Sequence, residues 1–403
     1  MSLHTSRTCA FLRRAVRLFT ALAAAWLFVS CLAATGGTAA DGSALLFPDA
    51  AWVQCCIFAA VCLIPALFSR YAPPKMRTYS RSLYSVRLVC ICIAGLMAAV
   101  WVFCVQASPA ADALSVQTAA SDLSGGHSYL FQPGEYMYIY PRRSGLVLLH
   151  LLLQQVNPNT TLPFQMLNVL CYMGILFLLG EIAGELDLGD RGCFAATVAG
   201  IAFLPLFFYT TFVYGTLPGL ALSLLGLVFS LRFCREAKWY QAGIASLALF
   251  LAVMIAPDYL IFTLGLILFT LCSGLRGRRH CFLLAVGLML SWALAELLPI
   301  LLLEKWTGCS LRSGLAPLSG LASGLRADSP RGPGWPGEYA LNAYYAAQTD
   351  PKAQTLMALG SIKGTLLSYL RDPGSMLLFF AQKNATQWSD PLFQSLWLNL
   401  AGH

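Results

Sequence analysis

Three carboxylates (Asp112, Asp122, Glu135), four tyrosines (Tyr129, Tyr136, Tyr138, Tyr140) and the pair Arg142-Arg143 fall within residues 108–145, SPAADALSVQTAASDLSGGHSYLFQPGEYMYIYPRRSG. A carboxylate held beside a hydroxyl can take its proton as a general base. Guanidinium forks match the oxygens of a phosphate, and tyrosine rings settle at a membrane interface, where they can pack against sugar faces. Together these residues suit attack of a hydroxyl on a carbon whose leaving group is a phosphate. Asp112, Asp122 and Glu135 are all candidates for the base. The competing reading of Asp112 is a helix cap or a solvated loop acid. Arg142 and Arg143 read either as phosphate ligands or as anchors that snorkel beside a helix end. His127 has no second His or Cys near it on this side, so neither a metal nor a cofactor is expected.

The elements around this stretch must be membrane helices. The chain is 58% hydrophobic and only 11% charged, with a mean hydropathy of +0.67 and apolar runs long enough to span a bilayer. The formal charge of +8 comes from short basic clusters between those runs, as the positive-inside bias produces. Nucleic-acid binding is therefore excluded. Nearly all of the fourteen cysteines lie inside apolar segments and no CxxC pair is present, so no disulfide or zinc framework is expected.

Apolar runs occupy residues 18–34, 52–69, 88–106, 164–180, 192–214, 216–231, 239–256, 259–275 and 281–303. An all-α, polytopic transmembrane helix bundle of about nine or ten helices is expected, with helices in its extracytoplasmic loops. The first run reads as a retained helix or as a signal peptide ending in CLAATGGTAA. Basic clusters at Arg70–Arg87, Arg232–Lys238 and Arg276–Arg279 mark the cytoplasmic side and place residues 108–145 outside. Counted this way, residues 146–156 have no crossing to make. That stretch is either re-entrant or interfacial, or it crosses with help from residues 136–140. Four segments result: transmembrane helices in 1–106, the outer loop 107–145, a bundle in 146–303, and an extracytoplasmic segment in 304–403, rich at first in Gly, Pro and Ser.

The strings GEYMYIYPRRSGLVLLHLLLQQV, FQMLNVL, FLPLFFYTTFVYGTLPGL, APDYLIF, GPGWPGEY and QWSDPLFQSLW resemble the bacterial membrane glycosyltransferases of the GT-C superfamily. These are relatives of the protein-O-mannosyltransferases and lipid A aminoarabinose transferases. The resemblance covers residues 110–397. It implies a multi-pass protein of the bacterial plasma membrane that moves a sugar from a polyprenyl-phosphate carrier to an envelope acceptor: a glycan, a lipid or a protein. It also implies an essential acid in the first outer loop, and Asp112 matches the family's pattern of an acid opening a short loop helix. The resemblance further nominates Asp122, Glu135, Tyr136, Tyr140, Tyr214, Asp258, Trp335, Lys383 and Trp388 as substrate-site residues. Trp335 and Trp388 are expected to stack on sugar beneath a lid formed by GPGWPGEY and the Gln387-Trp388 segment.

Two departures stand out. Relatives carry Tyr-Pro-x-Gln where this chain has Tyr140-Pro141-Arg142-Arg143, and Lys-Pro-Asn where it has Ala256-Pro257-Asp258. A phosphate-binding lysine is thereby missing. Relatives also continue past QWSDPLFQSLW with further helices, so a divergent or truncated member is a parallel expectation. Two other classes compete. A transporter or lipid flippase would use Glu296 as a buried acid and Pro205 and Pro218 as helix breaks; a non-catalytic membrane protein would use none of these residues. A transferase should bring Asp112 close to the arginine pair in one outward cavity, while a transporter should have a central, two-sided pathway.

Overall fold

Long apolar segments can satisfy their backbone polar groups in a bilayer only as helices or closed barrels, and here they are helices. The computed structural model describes residues 80–327 and 337–388, with 329, 390 and 395. Ahead of residue 80 it describes the strand positions 34–38 and 44–48 and single positions from 18 to 59. Most of the first two apolar runs, the choice between signal peptide and retained helix, and Trp335 lie outside the described residues. The chain divides into two compact units, a larger one holding residues 74–315 and a smaller one holding 316–348 and 352–394.

In chain order the larger unit contains α1 (Ser80–Val105), α2 (Ala111–Ser124), α3 (Tyr136–Ile139), α4 (Ser144–Gln154), α5 (Thr161–Glu185), α6 (Gly189–Ala202), α7 (Leu204–Phe208), α8 (Thr216–Glu236), α9 (Trp239–Ile255), α10 (Leu260–Leu275) and α11 (His280–Thr307). Every apolar run expected between residues 88 and 303 is helical. Among the described residues five helices are long and apolar enough to cross a membrane on their own: Leu83–Val105, Thr161–Glu185, Thr216–Glu236, Pro257–Leu275 and His280–Thr307. A sixth crossing results if α6 and the segment Leu204–Thr211 count as one span bent by 62°. Pro205, in the first turn of α7, cannot continue the hydrogen-bond ladder of α6. The 17 residues of α9 reach about 26 Å at 1.5 Å per residue, short of the roughly 30 Å hydrocarbon layer. The chain is a multi-pass helical membrane protein, with fewer full-length spans among its described residues than the nine or ten expected for the whole sequence.

The question of residues 146–156 is answered by length and packing. The 11-residue helix α4 extends about 16 Å and cannot span. It lies inside the unit with Gly145, Leu146, Val147, His150 and Leu151 buried. Past the end of α1, the Ala107 carbonyl accepts a hydrogen bond from Gln165 in the first turns of α5, at 2.9 Å. The chain thus leaves α1 and enters α5 at the same end, and the crossings alternate without a further one. Gly145 is required where it stands, because a Cβ there would run into the Met254 carbonyl at the end of α9.

Three buried clusters hold the bundle. One joins α2, α3, α4 and the start of α5 through Val116, Met137, Leu146 and Phe164, with Phe131 from the turn before α3, and takes in Ile255 and Leu303 from the ends of α9 and α11. A second packs α1 against α5 and α8 through Ala98, Val102, Tyr172 and Val228. The third packs α8 to α11 through Phe233, Leu249, Leu266 and Leu284. The loop stretch is therefore seated on the helix ends, with its own share of the core. The larger unit continues past residue 303 to Leu315, whose N–H bonds the Ile139 carbonyl at 2.9 Å.

The smaller unit contains α12 (Pro317–Gly324), α13 (Tyr339–Ala346), α14 (Pro351–Arg371) and α15 (Pro373–Trp388). With them goes a short antiparallel ribbon of β1 (Ala34–Thr38) and β2 (Ala44–Pro48), in register from Ala34 opposite Pro48 to Thr38 opposite Ala44. Side chains tie the end of α12 to its neighbours. The Tyr369 hydroxyl donates to the Leu325 carbonyl at 2.8 Å, and the Lys383 ammonium to the Gly324 carbonyl at 2.5 Å.

Candidate functional site

Arg232 and Arg235 lie at one end of the bundle, the inner end by the expected topology, and the site residues of the larger unit gather at the opposite, outer end. Asp112 lies in the first turn of α2, where the helix dipole favours a carboxylate. It is not the cap: that position belongs to Ala110, which makes no side-chain capping bond. Instead Asp112 Oδ2 accepts a hydrogen bond from the Tyr214 hydroxyl at 3.3 Å. The Tyr136 side chain at the start of α3 lies close enough to Tyr214 for the two phenols to shift one another's pKa. The Tyr214 hydroxyl thus donates to a solvent-exposed carboxylate, with Tyr136 beside it.

Arg143 completes the cluster. Its guanidinium lies 4.7 Å from the Tyr214 ring centre and 3.6 Å from Asp258 Oδ2. Burial works against its charge, but Tyr214, Asp258, Tyr136 and Asp112 around it outweigh that effect and raise its pKa. Burial, with Arg143 opposing and Asp112 adding, pushes the Tyr214 phenol up to about 12. Burial, with Tyr214 and Asp112 adding, pushes Tyr136 higher still. Both phenols are donors throughout the physiological range. Tyr140 braces Tyr136, ring centre to ring centre at 5.0 Å.

The two arginines part company. Arg142 turns to α11 and grips Glu296 with both arms of its fork, Nε to Oε2 at 2.9 Å and Nη2 to Oε1. A small cavity of about 10 Å³, room for a single water, sits beside this pair between Pro141, Ser144 and Pro299. Arg142 thus anchors the turn Pro141–Arg143 to the bundle while Arg143 faces the phenols. The Arg143 pair with Asp258 is weaker, because the Asp258 side chain is 80% exposed and water screens it. An anion with two oxygens to offer can displace it.

Other nominated residues have different surroundings. Asp122 is ten residues further along α2, about 15 Å along the helix axis from Asp112. Glu135 accepts a hydrogen bond from Tyr129, an interaction that raises the Tyr129 pKa. In the smaller unit, Lys383 is occupied by the Gly324 carbonyl and its pKa is lowered by burial, while Trp388 closes α15 with an exposed ring.

Two residues that position the site escaped notice in the sequence. Gln165 Nε2 bonds the Ala107 carbonyl at 2.9 Å and the Thr211 carbonyl at 3.1 Å. One turn on, Asn168 Nδ2 bonds the Thr210 and Phe212 carbonyls at 3.2 and 2.9 Å. These amides clamp the irregular segment between α7 and α8 that delivers Tyr214, and satisfy carbonyls that no helix covers. The readable signal was the pattern FQMLN, two buried amides three residues apart at the start of an apolar run.

At the other end of the bundle Glu181 meets Arg87 at 3.3 Å and Arg232 at 2.9 Å. Glu185 meets Arg232 at 2.6 Å and Arg235 at 3.4 Å, and Arg235 reaches Asp187 at 3.2 Å. Compared with protein-family models, curated proteins and solved structures, the chain matches none.

Proposed function

We propose that the protein is a membrane glycosyltransferase that moves a sugar from a polyprenyl-phosphate donor to an acceptor on the outer face of a bacterial plasma membrane. The observation that carries this reading is the grouping of Asp112, Tyr214, Tyr136 and Arg143 at one end of the bundle. In the reaction the acceptor oxygen attacks the anomeric carbon from the face opposite the phosphate. A new C–O bond forms, the bond to the phosphate oxygen breaks with its electron pair, and the configuration inverts. Asp112 takes the acceptor proton. Arg143 releases Asp258 and holds the departing phosphate, whose growing charge it neutralises. Tyr136 and Tyr214, kept protonated by their surroundings, orient Asp112. The lysine that the resembled glycosyltransferases carry has no counterpart at Ala256, so Arg143 carries the phosphate-holding role alone.

Two observations favour transfer over transport. Glu296, the acid a transporter would use, is neutralised by Arg142, and the inner end is tied together by the ion pairs of Glu181 and Glu185. The test is transfer from radiolabelled polyprenyl-phosphate sugars by purified protein. Wild type is expected to transfer and Asp112→Asn to lose about 100-fold or more. Equal transfer by both removes Asp112 from the mechanism, and no transfer by wild type with any donor favours a non-catalytic role.

A further inference from the structure

A groove of about 270 Å³ opens at the outer end between the last turns of α1 and the start of α5. That volume is near the lower bound for small-molecule sites. Its lining has two characters. Phe103 and Leu162 form an apolar wall, while Gln106, Ser108, Asn159 and Thr161 form a polar one. None of the lining residues carries a charge. The groove lies where the apolar span Leu83–Val105 ends and the span Thr161–Glu185 begins. The groove therefore offers hydrocarbon contact on one side and, on the other, amides and hydroxyls that both donate and accept. A phosphate or carboxylate would find no cation among the lining residues to pair with. A ring of vicinal hydroxyls, each also both donor and acceptor, finds partners.

The groove is joined to the reaction cluster by its own framework. Ser108 lies four residues before Asp112. Thr161 bonds Gln117 of α2, the helix that carries Asp112, at 3.0 Å. Gln165 ties the groove floor at Ala107 to Thr211, three residues before Tyr214. From these features we infer that the groove holds the acceptor, and that the acceptor is an uncharged glycolipid. Its acyl chains lie along α1 and α5, and its hydroxylated headgroup sits beside the base. This assignment rests on the transferase reading and adds what that reading leaves open, the chemical class of acceptor and the side from which it enters.

The experiment uses the full chain in lipid nanodiscs, with a benzophenone amino acid replacing Phe103 and a tagged monoglucosyl diacylglycerol as probe. Cross-linking to this lipid is expected to exceed cross-linking to tagged phosphatidylglycerol, and to fall about tenfold when Gln106→Ala and Ser108→Ala are combined, as loss of two modest hydrogen bonds implies. Equal labelling of the two lipids, preference for the anionic one, or indifference to the double substitution overturns the assignment. Binding and transfer fail separately. Asp112→Asn should still cross-link the glycolipid. Selective cross-linking without transfer by wild type leaves the groove standing and rejects the enzyme. Transfer that ignores the groove substitutions leaves the enzyme standing and rejects the groove.

Discussion

The two ends of the bundle use the same residue types to opposite purpose. At the inner end Arg87 is 3% exposed, donates to the Phe177 carbonyl at 2.6 Å, and shares Glu181 with Arg232. Gly180 leaves the space in which its guanidinium lies, space that a Cβ would fill. At the outer end Arg143 faces an exposed aspartate across 3.6 Å and an aromatic ring. Charges that complete one another fix helices. Charges left with a weak, displaceable partner are available to a substrate.

The largest effect should come from breaking the closed end. Glu181→Ala leaves two arginines short of a partner, one of them buried, and should lower stability in detergent by about 3–5 kcal/mol, as loss of one member of a buried pair does. Thermal or denaturant unfolding reads this directly. Asp258→Ala at the open end should change stability by less than about 1 kcal/mol. Comparable losses for the two would erase the distinction between the ends.

Next in size is Arg143→Lys, which keeps the charge but loses the fork. Donor use should fall about tenfold or more, read as a higher KM for the polyprenyl-phosphate sugar, with little change in unfolding. Glu296→Gln should act through the turn instead. With the Arg142 anchor loosened, kcat should fall and donor KM should change less, and Glu296→Asp should partly restore it. The smallest effect concerns the phenol. The Tyr214 pKa lies above its ordinary 10.0, at about 12, so the folded state holds this proton more tightly than the unfolded state. Its contribution to stability is complete below pH 10 and is lost as pH rises through 12. Tyr214→Phe should remove that part of the alkaline loss, as followed by unfolding against pH and by phenolate absorbance.

Much of the fold was legible because burial in a bilayer leaves so few choices. The apolar runs from residue 88 to 303 became helices, with run 192–214 broken at Phe203, and residues 108–145 supply Asp112, Tyr136 and Arg143 to one end. What the sequence could not show was pairing. Arg142 and Arg143 are neighbours on a turn with three residues per revolution, so they point about 120° apart and only the surrounding helices decide which meets a carboxylate. Tyr214 and Asp258 lie 71 and 115 residues beyond Arg143 by their numbers, and nothing local announces that contact. The placement of residues 146–156 likewise depended on α4 being held inside the unit by Gly145 against α9.

The central claim is that the outer cluster is a reaction centre, and it is tested most directly by sugar transfer from a polyprenyl-phosphate donor, wild type against Asp112→Asn, in protein shown to be equally folded. The account predicts measurable transfer by wild type and a loss of about 100-fold or more in the variant. Undiminished transfer by Asp112→Asn would contradict it.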